Sequence, residues 1–131
     1  MRNALIVIGL VTLFALAASP LAKRAWVGKT LSETEVAARW GKVPLDNQKF
    51  KESDYKIRAK MAWAAMRSKE LLGKTPAEIR AELGPWDGYL SADILPAYII
   101  WDGRIEGGDS WQLVFLMDKS HKISEIIVNR N

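Results

Sequence analysis

The sequence predicts an α+β domain in which two or three helices pack on one face of a three-stranded antiparallel sheet, preceded by an N-terminal membrane-directed helix. Three observations predict this fold class. A charge-free apolar run stands near the N-terminus, capped helical segments follow it, and β-type runs occupy the C-terminal third. A chain of 131 residues is long enough for one domain with one modest core.

The composition argues against several classes of protein. Cysteine is absent, so the chain has no disulfide, no thiolate metal site, no cysteine nucleophile and no lipid-acceptor cysteine. The formal net charge is +4, and the basic residues are mixed with acidic ones rather than gathered in a run. Nucleic acid is therefore not expected as a partner.

Residues 1–22 form a segment that differs from the rest of the chain. Arg2 provides a positive start, Ala4 to Ala18 carries no charge, and Ala15-Leu16-Ala17 fits the small-x-small pattern of a signal-peptidase site. The stretch from Ala4 to Ala22 is also about long enough to span a bilayer core. We expect a signal peptide or an N-terminal membrane anchor, and hence a periplasmic, secreted or inner-membrane-tethered protein that meets the membrane only through residues 4–22. A buried helix of the domain is the alternative.

Residues 23–52 are predicted to form a short helix and a linker. Thr30 or Ser32 can cap this helix, because an acidic side chain follows each of them at the third position. Val36 and Trp40 then lie on one face. A glycine followed by a proline ends the helix.

Residues 53–131 are predicted to form a helix-helix-three-strand domain, and its longest helix runs from Ser53 to Leu72. Ser53 or Asp54 can cap it, and neither glycine nor proline interrupts it. The apolar stripe that we expect to face the core consists of Tyr55, Ala59, Ala62 and Met66. Mostly away from this stripe we expect Lys56, Arg58, Lys60 and Arg67.

A second helix of this domain is predicted from Pro76, over the letters PAEIRAEL. Thr75 can cap it, proline suits its first position, and Glu78 is placed to complete a capping box. Gly84 and Pro85 end it. The segment is a short, sharply bounded helix that must be held by packing.

The letters GKT occur twice, at residues 28–30 and 73–75, and also end the nucleotide-binding P-loop motif. A P-loop needs a second glycine five residues earlier, where this chain has Lys23 and Ser68. The spacing therefore argues against phosphate binding. Because a short helix follows each GKT, an internal duplication is a weak alternative explanation.

Three β-type runs are predicted to form the sheet, at Ala97–Trp101, Trp111–Met117 and Ile123–Val128. The links between them are short, which indicates antiparallel hairpins. The face of the middle strand that we expect helices to cover carries Trp111, Leu113, Phe115 and Met117. The other face, which we expect to be semi-exposed or covered by another molecule, carries Gln112, Val114 and Leu116.

Little in the sequence indicates catalysis or metal binding. His121 is the only histidine and is expected to be a solvated turn residue without a serine or carboxylate partner. Asp102, Glu106 and Asp109 invite a calcium interpretation, but their spacing is not that of an EF-hand loop, and a glycine-rich hairpin explains the same letters. We predict no catalytic residues, no metal site and no cofactor.

The six tryptophans are the unusual feature of the composition. Tryptophan is enriched at binding hot spots, although it also fills cores. Most of the six are expected to be structural. The residues that we predict to contact a partner are Trp86, Tyr89, Trp101 and Arg104.

The order "LLGKTPAEIRAELGPWDGY", "AYII", "SWQLVFLMD" and "ISEIIVN" resembles the SmpA/OmlA family of small outer-membrane assembly lipoproteins, also called BamE-like. The family pattern is G-x-T-x-x-E-(V/I)-x-x-x-L-G-x-P, followed by a three-stranded antiparallel sheet. The match covers about Ser68 to Val128. Pro85 comes one place earlier than in the pattern. The positions that match the signature are Gly73, Thr75, Glu78, Ile79, Leu83 and Gly84. The resemblance implies two helices on one face of the sheet and a non-catalytic role. The family's lipid anchor cannot form, because the chain lacks the lipobox cysteine.

We therefore expect a non-catalytic protein-binding or scaffold module of the bacterial cell envelope, with another envelope protein as its partner. An inhibitor or immunity protein against a secreted enzyme or toxin is an alternative, since related helix-on-sheet modules serve as inhibitors. A small hydrolase is a further alternative, which would require a cleft with converging polar side chains.

Overall fold

The computed structural model describes residues 29–88 and 95–130, and over these residues the fold class is α+β. The helices α1 to α5 are Glu33–Trp40, Asn47–Glu52, Tyr55–Met66, Pro76–Leu83 and Gly103–Glu106. The strands β1 to β4 are Thr30–Leu31, Ala97–Trp101, Trp111–Met117 and Ile123–Arg130. The predicted N-terminal segment 1–22 lies outside the described residues. Within the described ranges, no helix is long and apolar enough to cross a membrane.

The sheet has the strand order β1-β4-β3-β2, and β3 pairs antiparallel with both β2 and β4. The three predicted strands are confirmed, with β4 extending two residues further. The prediction of only three strands is wrong, because Thr30 and Leu31 form an additional edge strand beside β4. Ser32 caps α1, which leaves Thr30 and Leu31 free to adopt extended backbone, and Leu31 is buried.

The core lies between the helices and one face of the sheet. Each of the first four helices contributes at least one buried apolar side chain to it, where we expected two or three helices to do so. These side chains include Val36, Phe50, Met61 and Ile79. The prediction for the covered face of β3 is confirmed, since Trp111, Leu113 and Phe115 are buried in this core and Met117 packs against it.

The prediction of a semi-exposed second face is wrong. Gln112 and Val114 are fully buried, and Leu116 is 8% exposed. Part of the reason is the backbone after α4, because the N–H group of Gly88 donates to the Ala97 carbonyl at 2.7 Å. A Cβ on Gly88 would lie 2.5 Å from the Cβ atom and 2.7 Å from the carbonyl oxygen of Ala97, and 2.6 Å from Oε1 of Gln112. Because Ala97 cannot move aside as a long side chain could, only glycine permits this approach.

The helix boundaries differ from the prediction in two places. The long helix α3 ends at Met66 rather than Leu72, in a turn where the N–H groups of Arg67 and Ser68 donate to carbonyls of the last helical turn. The residues that we interpreted as a linker include α2, which Asp46 caps and whose Phe50 is buried. A compact unit extends from Leu31 to Asn131, so α1 and α2 belong to the same unit as β2, β3 and β4.

Both predicted capping boxes are present, at Ser32 with Glu35 and at Thr75 with Glu78. The second GKT also has a structural role. The N–H group of Gly73 donates to the Ile123 carbonyl, and the Ile123 N–H group donates to the Lys74 carbonyl, each at 2.7 Å. These two hydrogen bonds join the start of α4 to the start of β4.

The capping box of α4 predicts a stability effect. Thr75→Ala removes the oxygen that accepts from the Glu78 N–H group, so we expect the free energy of unfolding to fall by about 1 kcal/mol. Urea denaturation followed by circular dichroism measures this loss. Thr34→Ala, inside α1 and exposed, is the control and should change stability by less than about 0.5 kcal/mol. Equal effects of the two substitutions would contradict the role of the cap.

Candidate functional site

A cluster of aromatic side chains lies where β2 meets α5. The ring centroid of Trp101 is 6.3 Å from that of Trp40 and 6.1 Å from that of Tyr55, whose ring is nearly perpendicular to it. The register of β2 shifts between Ile99 and Trp101, so Trp101 pairs with Trp111 on the helix-covered side. We call the following set the α5 corner: Trp40, Tyr55, Trp101, Arg104, Ile105 and Glu106.

Asp102 fixes the start of α5. Its Oδ1 atom accepts from the Arg104 N–H group at 2.9 Å, and its two oxygens accept from Nε and Nη2 of the same arginine at 3.1 and 3.0 Å. This guanidinium holds the pKa of the Asp102 carboxyl below its ordinary value. A Cβ on Gly103 would lie 2.2 Å from the Gly108 carbonyl oxygen, so the loop closes tightly behind α5. The helix is therefore held in one position.

A second contact ties α5 to α3. The hydroxyl of Tyr55 donates to Oε2 of Glu106, and Nζ of Lys56 lies 3.3 Å from the same oxygen. The hydrogen bond to the carboxylate raises the pKa of Tyr55 to about 12. The same hydrogen bond is the main cause that lowers the pKa of the Glu106 carboxyl, and the hydrogen bond from Lys56 lowers it further. Two sets of charge-assisted hydrogen bonds thus hold the α5 corner, one between Arg104 and Asp102 and one between Tyr55 and Glu106.

Ile105 is the exposed apolar group of the corner. It is 69% exposed, a larger fraction than for any other large apolar side chain among the described residues. The neighbouring Arg104 side chain is also 69% exposed, and the three aromatic side chains are half-buried. An exposed isoleucine on a short helix that also carries Arg104, and that Glu106 links to Tyr55, has the composition of a protein-binding surface.

The structure brings together two of the four predicted partner-binding residues, Trp101 and Arg104. Trp86 lies after α4, half-buried, with the Arg80 guanidinium 5.1 Å from its ring centroid. Tyr89 lies outside the described residues. Sequence reasoning missed Ile105, although it is the one large apolar letter in the glycine-rich stretch between β2 and β3.

Sequence reasoning also missed Tyr55 and Trp40 as members of the corner. Tyr55 was assigned to the core stripe, yet it is half-buried at the N-terminus of α3 and turns its hydroxyl towards α5. Trp40 was assigned to the apolar face of the first helix. Both assignments follow from helical spacing, which does not show that the two rings meet Trp101.

Arg58 is buried, contrary to the prediction that it lies away from the apolar stripe. Its Nη1 and Nη2 atoms donate to the two Asp87 oxygens at 3.2 and 3.0 Å. Its guanidinium carbon lies 5.8 Å from the Phe50 ring and 6.0 Å from the Tyr98 ring. The ion pair supplies the counter-charge that a buried cation needs.

The described carboxylates near α5 have separate partners. Asp102 binds Arg104, Glu106 binds Tyr55 and Lys56, and Asp109 lies 3.8 Å from Arg130. Within residues 29–88 and 95–130, no three histidine, cysteine, aspartate or glutamate side chains are arranged to hold a metal ion. His121 is exposed in the turn between β3 and β4, as predicted.

Comparison of the chain with protein-family models, with curated proteins and with solved structures gives no match. The resemblance to the SmpA/OmlA family therefore stays a prediction, and so does the assignment of the partner-binding residues.

The link between Tyr55 and Glu106 predicts a pH effect. Because the hydrogen bond favours the protonated phenol, its stabilisation is present below the ordinary tyrosine pKa of 10.0 and is lost as the pH rises through about 12. The carboxylate of Glu106, whose pKa is lowered, contributes above the unfolded glutamate pKa of about 4.3, and its contribution is lost as the pH falls through the folded value.

Glu106→Gln should therefore move the pKa of Tyr55 down from about 12 towards 10.0. Titration of a ¹³C label at Cζ of Tyr55 by NMR measures this shift. Glu70→Gln, an exposed change of the same charge, should leave the titration where it is in the unmodified protein. A titration that Glu106→Gln does not move would show that the hydrogen bond is absent in solution.

Proposed function

We propose that this chain is a non-catalytic protein-binding module of the bacterial cell envelope, and that the α5 corner contacts its partner. The exposure of Ile105 carries the proposal. A side chain of this size, 69% exposed and next to Arg104 in the chain, suits insertion into an apolar pocket of another protein.

The rigidity of the corner supports this role. The Asp102 carboxylate holds Arg104 through three hydrogen bonds, and Glu106 links α5 to Tyr55 of α3. Binding loses affinity when flexible side chains must be ordered at the interface. Because Arg104, Tyr55 and Glu106 are already held by hydrogen bonds, less of that loss arises at these side chains.

The chemistry of the described residues supports binding rather than catalysis. The carboxylates at α5 pair with basic or phenolic groups instead of converging on a common point, and the described histidine is exposed in a turn. A hydrolase of the type considered above would need polar side chains that converge in a cleft.

The envelope location is supported by the sequence of residues 1–22, which has the charge and hydropathy pattern of an export signal or membrane anchor. The predicted resemblance to SmpA/OmlA proteins over about residues 68–128 is consistent with the same location. The packing of helices on one sheet face is the arrangement that this similarity implies.

Photocrosslinking in cells tests the proposal. A benzoylphenylalanine at position 105 of the full-length chain should give one abundant adduct with an envelope protein. The same probe at position 119, in the exposed turn between β3 and β4, is the control and should not give that adduct. Absence of a discrete adduct at position 105, with both variants well expressed, would contradict the proposal.

A substitution at the α5 corner should weaken the photocrosslinked adduct. With the probe at position 109, in the exposed loop after α5, Ile105→Asp should reduce the adduct roughly tenfold, the effect of losing one hot-spot contact. Ile105 is exposed, so the substitution should leave the unfolding free energy within about 0.5 kcal/mol of the original value. Mass spectrometry identifies the adduct, and a secreted enzyme or toxin there would favour the inhibitor alternative.

A further inference from the structure

A groove with a volume of about 460 Å³ lies between α1 and α3 and shares no residue with the α5 corner. Ala37 and Ala38 line it from α1, and the half-buried indole of Trp63 lines it from α3. Small side chains on one wall and a tryptophan on the other leave room for an apolar side chain of a bound segment.

Basic side chains surround the indole of Trp63. Nζ of Lys42 lies 5.1 Å and the guanidinium carbon of Arg67 lies 5.2 Å from its ring centroid. Lys60 precedes Trp63 by three positions in α3 and is exposed on the same side of the helix. In the part of the chain that the structure describes, Lys42 and Lys60 form no ion pair, whereas Arg67 pairs with Glu33 at 3.0 Å.

We propose that this groove, which we call the α1–α3 groove, binds an acidic peptide segment of the partner protein. The proposal rests on the protein-binding function above and adds the chemistry of the partner. Carboxylates of the segment bind Lys42, Lys60 and Arg67, and an apolar side chain of the segment lies against Trp63. A peptide fits better than an anionic membrane surface, because the indole lines a concave groove instead of protruding as an interfacial anchor does.

Replacement of Glu33 should change the affinity for the peptide in a distinctive direction. Oε1 of Glu33 accepts a hydrogen bond from Nη1 of Arg67. Glu33 therefore competes with an incoming carboxylate for the Arg67 guanidinium. Glu33→Gln removes this competing charge and should strengthen binding of an acidic peptide. A residue that only stabilises the fold would not strengthen binding when it is replaced.

Selection of peptides tests the proposal. Full-length protein in nanodiscs of phosphatidylcholine is panned against a phage-displayed library of random dodecapeptides, and the Kd of each enriched peptide is then measured after synthesis. We expect acidic peptides with an apolar residue. Lys42→Gln and Arg67→Gln should each weaken binding about tenfold, and Glu33→Gln should tighten it several-fold. Lys119→Gln, the same charge change in the exposed turn, should leave Kd unchanged.

The proposal is overturned if no peptide is enriched, if the enriched peptides are not acidic, or if Lys42→Gln and Arg67→Gln bind them as the unmodified protein does. Circular dichroism of each variant confirms that it is folded, and the tighter binding expected of Glu33→Gln cannot arise from misfolding. Because photocrosslinking at position 105 reports on partner binding separately, failure of the groove leaves the proposed function standing.

A membrane occupant is distinguished by labelling. The chain has no cysteine, so Ala38→Cys provides a single thiol in the groove. Its rate of maleimide labelling should be equal in nanodiscs of phosphatidylcholine and in nanodiscs that also contain phosphatidylglycerol. A labelling rate that falls when the anionic lipid is present would show that the groove faces lipid headgroups, and would overturn the peptide proposal.

Discussion

The ion pair between Arg58 and Asp87 is the interaction on which the arrangement of helices and sheet depends. A guanidinium that is largely removed from water is stable only with a counter-charge, and Asp87 supplies it through two hydrogen bonds. Oδ1 of Asp87 also accepts from the Ile99 N–H group at 3.0 Å, and the Tyr98 hydroxyl donates to the Gly84 carbonyl at 2.7 Å. The Arg58–Asp87 pair therefore links α3 to the backbone after α4, and Asp87 links that backbone to β2.

Both surfaces that we propose for binding follow from this constraint, because both depend on α3. Its N-terminal turn carries Tyr55, which meets Glu106 and Trp101 at the α5 corner. Its C-terminal half carries Trp63, and Arg67 follows directly after its last residue, so both line the α1–α3 groove. Arg58, three residues after Tyr55, is buried beside Phe50 and Tyr98 of the core. A single helix thus presents an apolar corner at one end and a basic groove at the other.

The sequence predicts those parts of the fold that depend on the pattern of residues close together in the chain. The strands and both capping boxes were found because period-two alternation and cap spacing are short-range signals. The helix α2 was missed because six residues are too few for a periodic pattern, and β1 because two residues give none. Arg58 was misplaced because its partner Asp87 is distant in sequence. At the candidate site Trp101 and Arg104 were proposed from composition, whereas Tyr55 and Ile105 required the fold that brings α3 to α5.

A double-mutant cycle on Arg58 and Asp87 tests this account most directly. The unfolding free energies of Arg58→Met, of Asp87→Asn and of the double variant, compared with the unmodified chain, give the coupling between the two side chains. The Asp87 side chain is 49% exposed, which lowers the coupling below that of a fully buried pair, so the account predicts a coupling of about 1.5 kcal/mol or more. The exposed pair of Arg67 and Glu33 is the internal reference, with an expected coupling of about 0.5 kcal/mol. A coupling between Arg58 and Asp87 no larger than that of the reference pair would contradict the account.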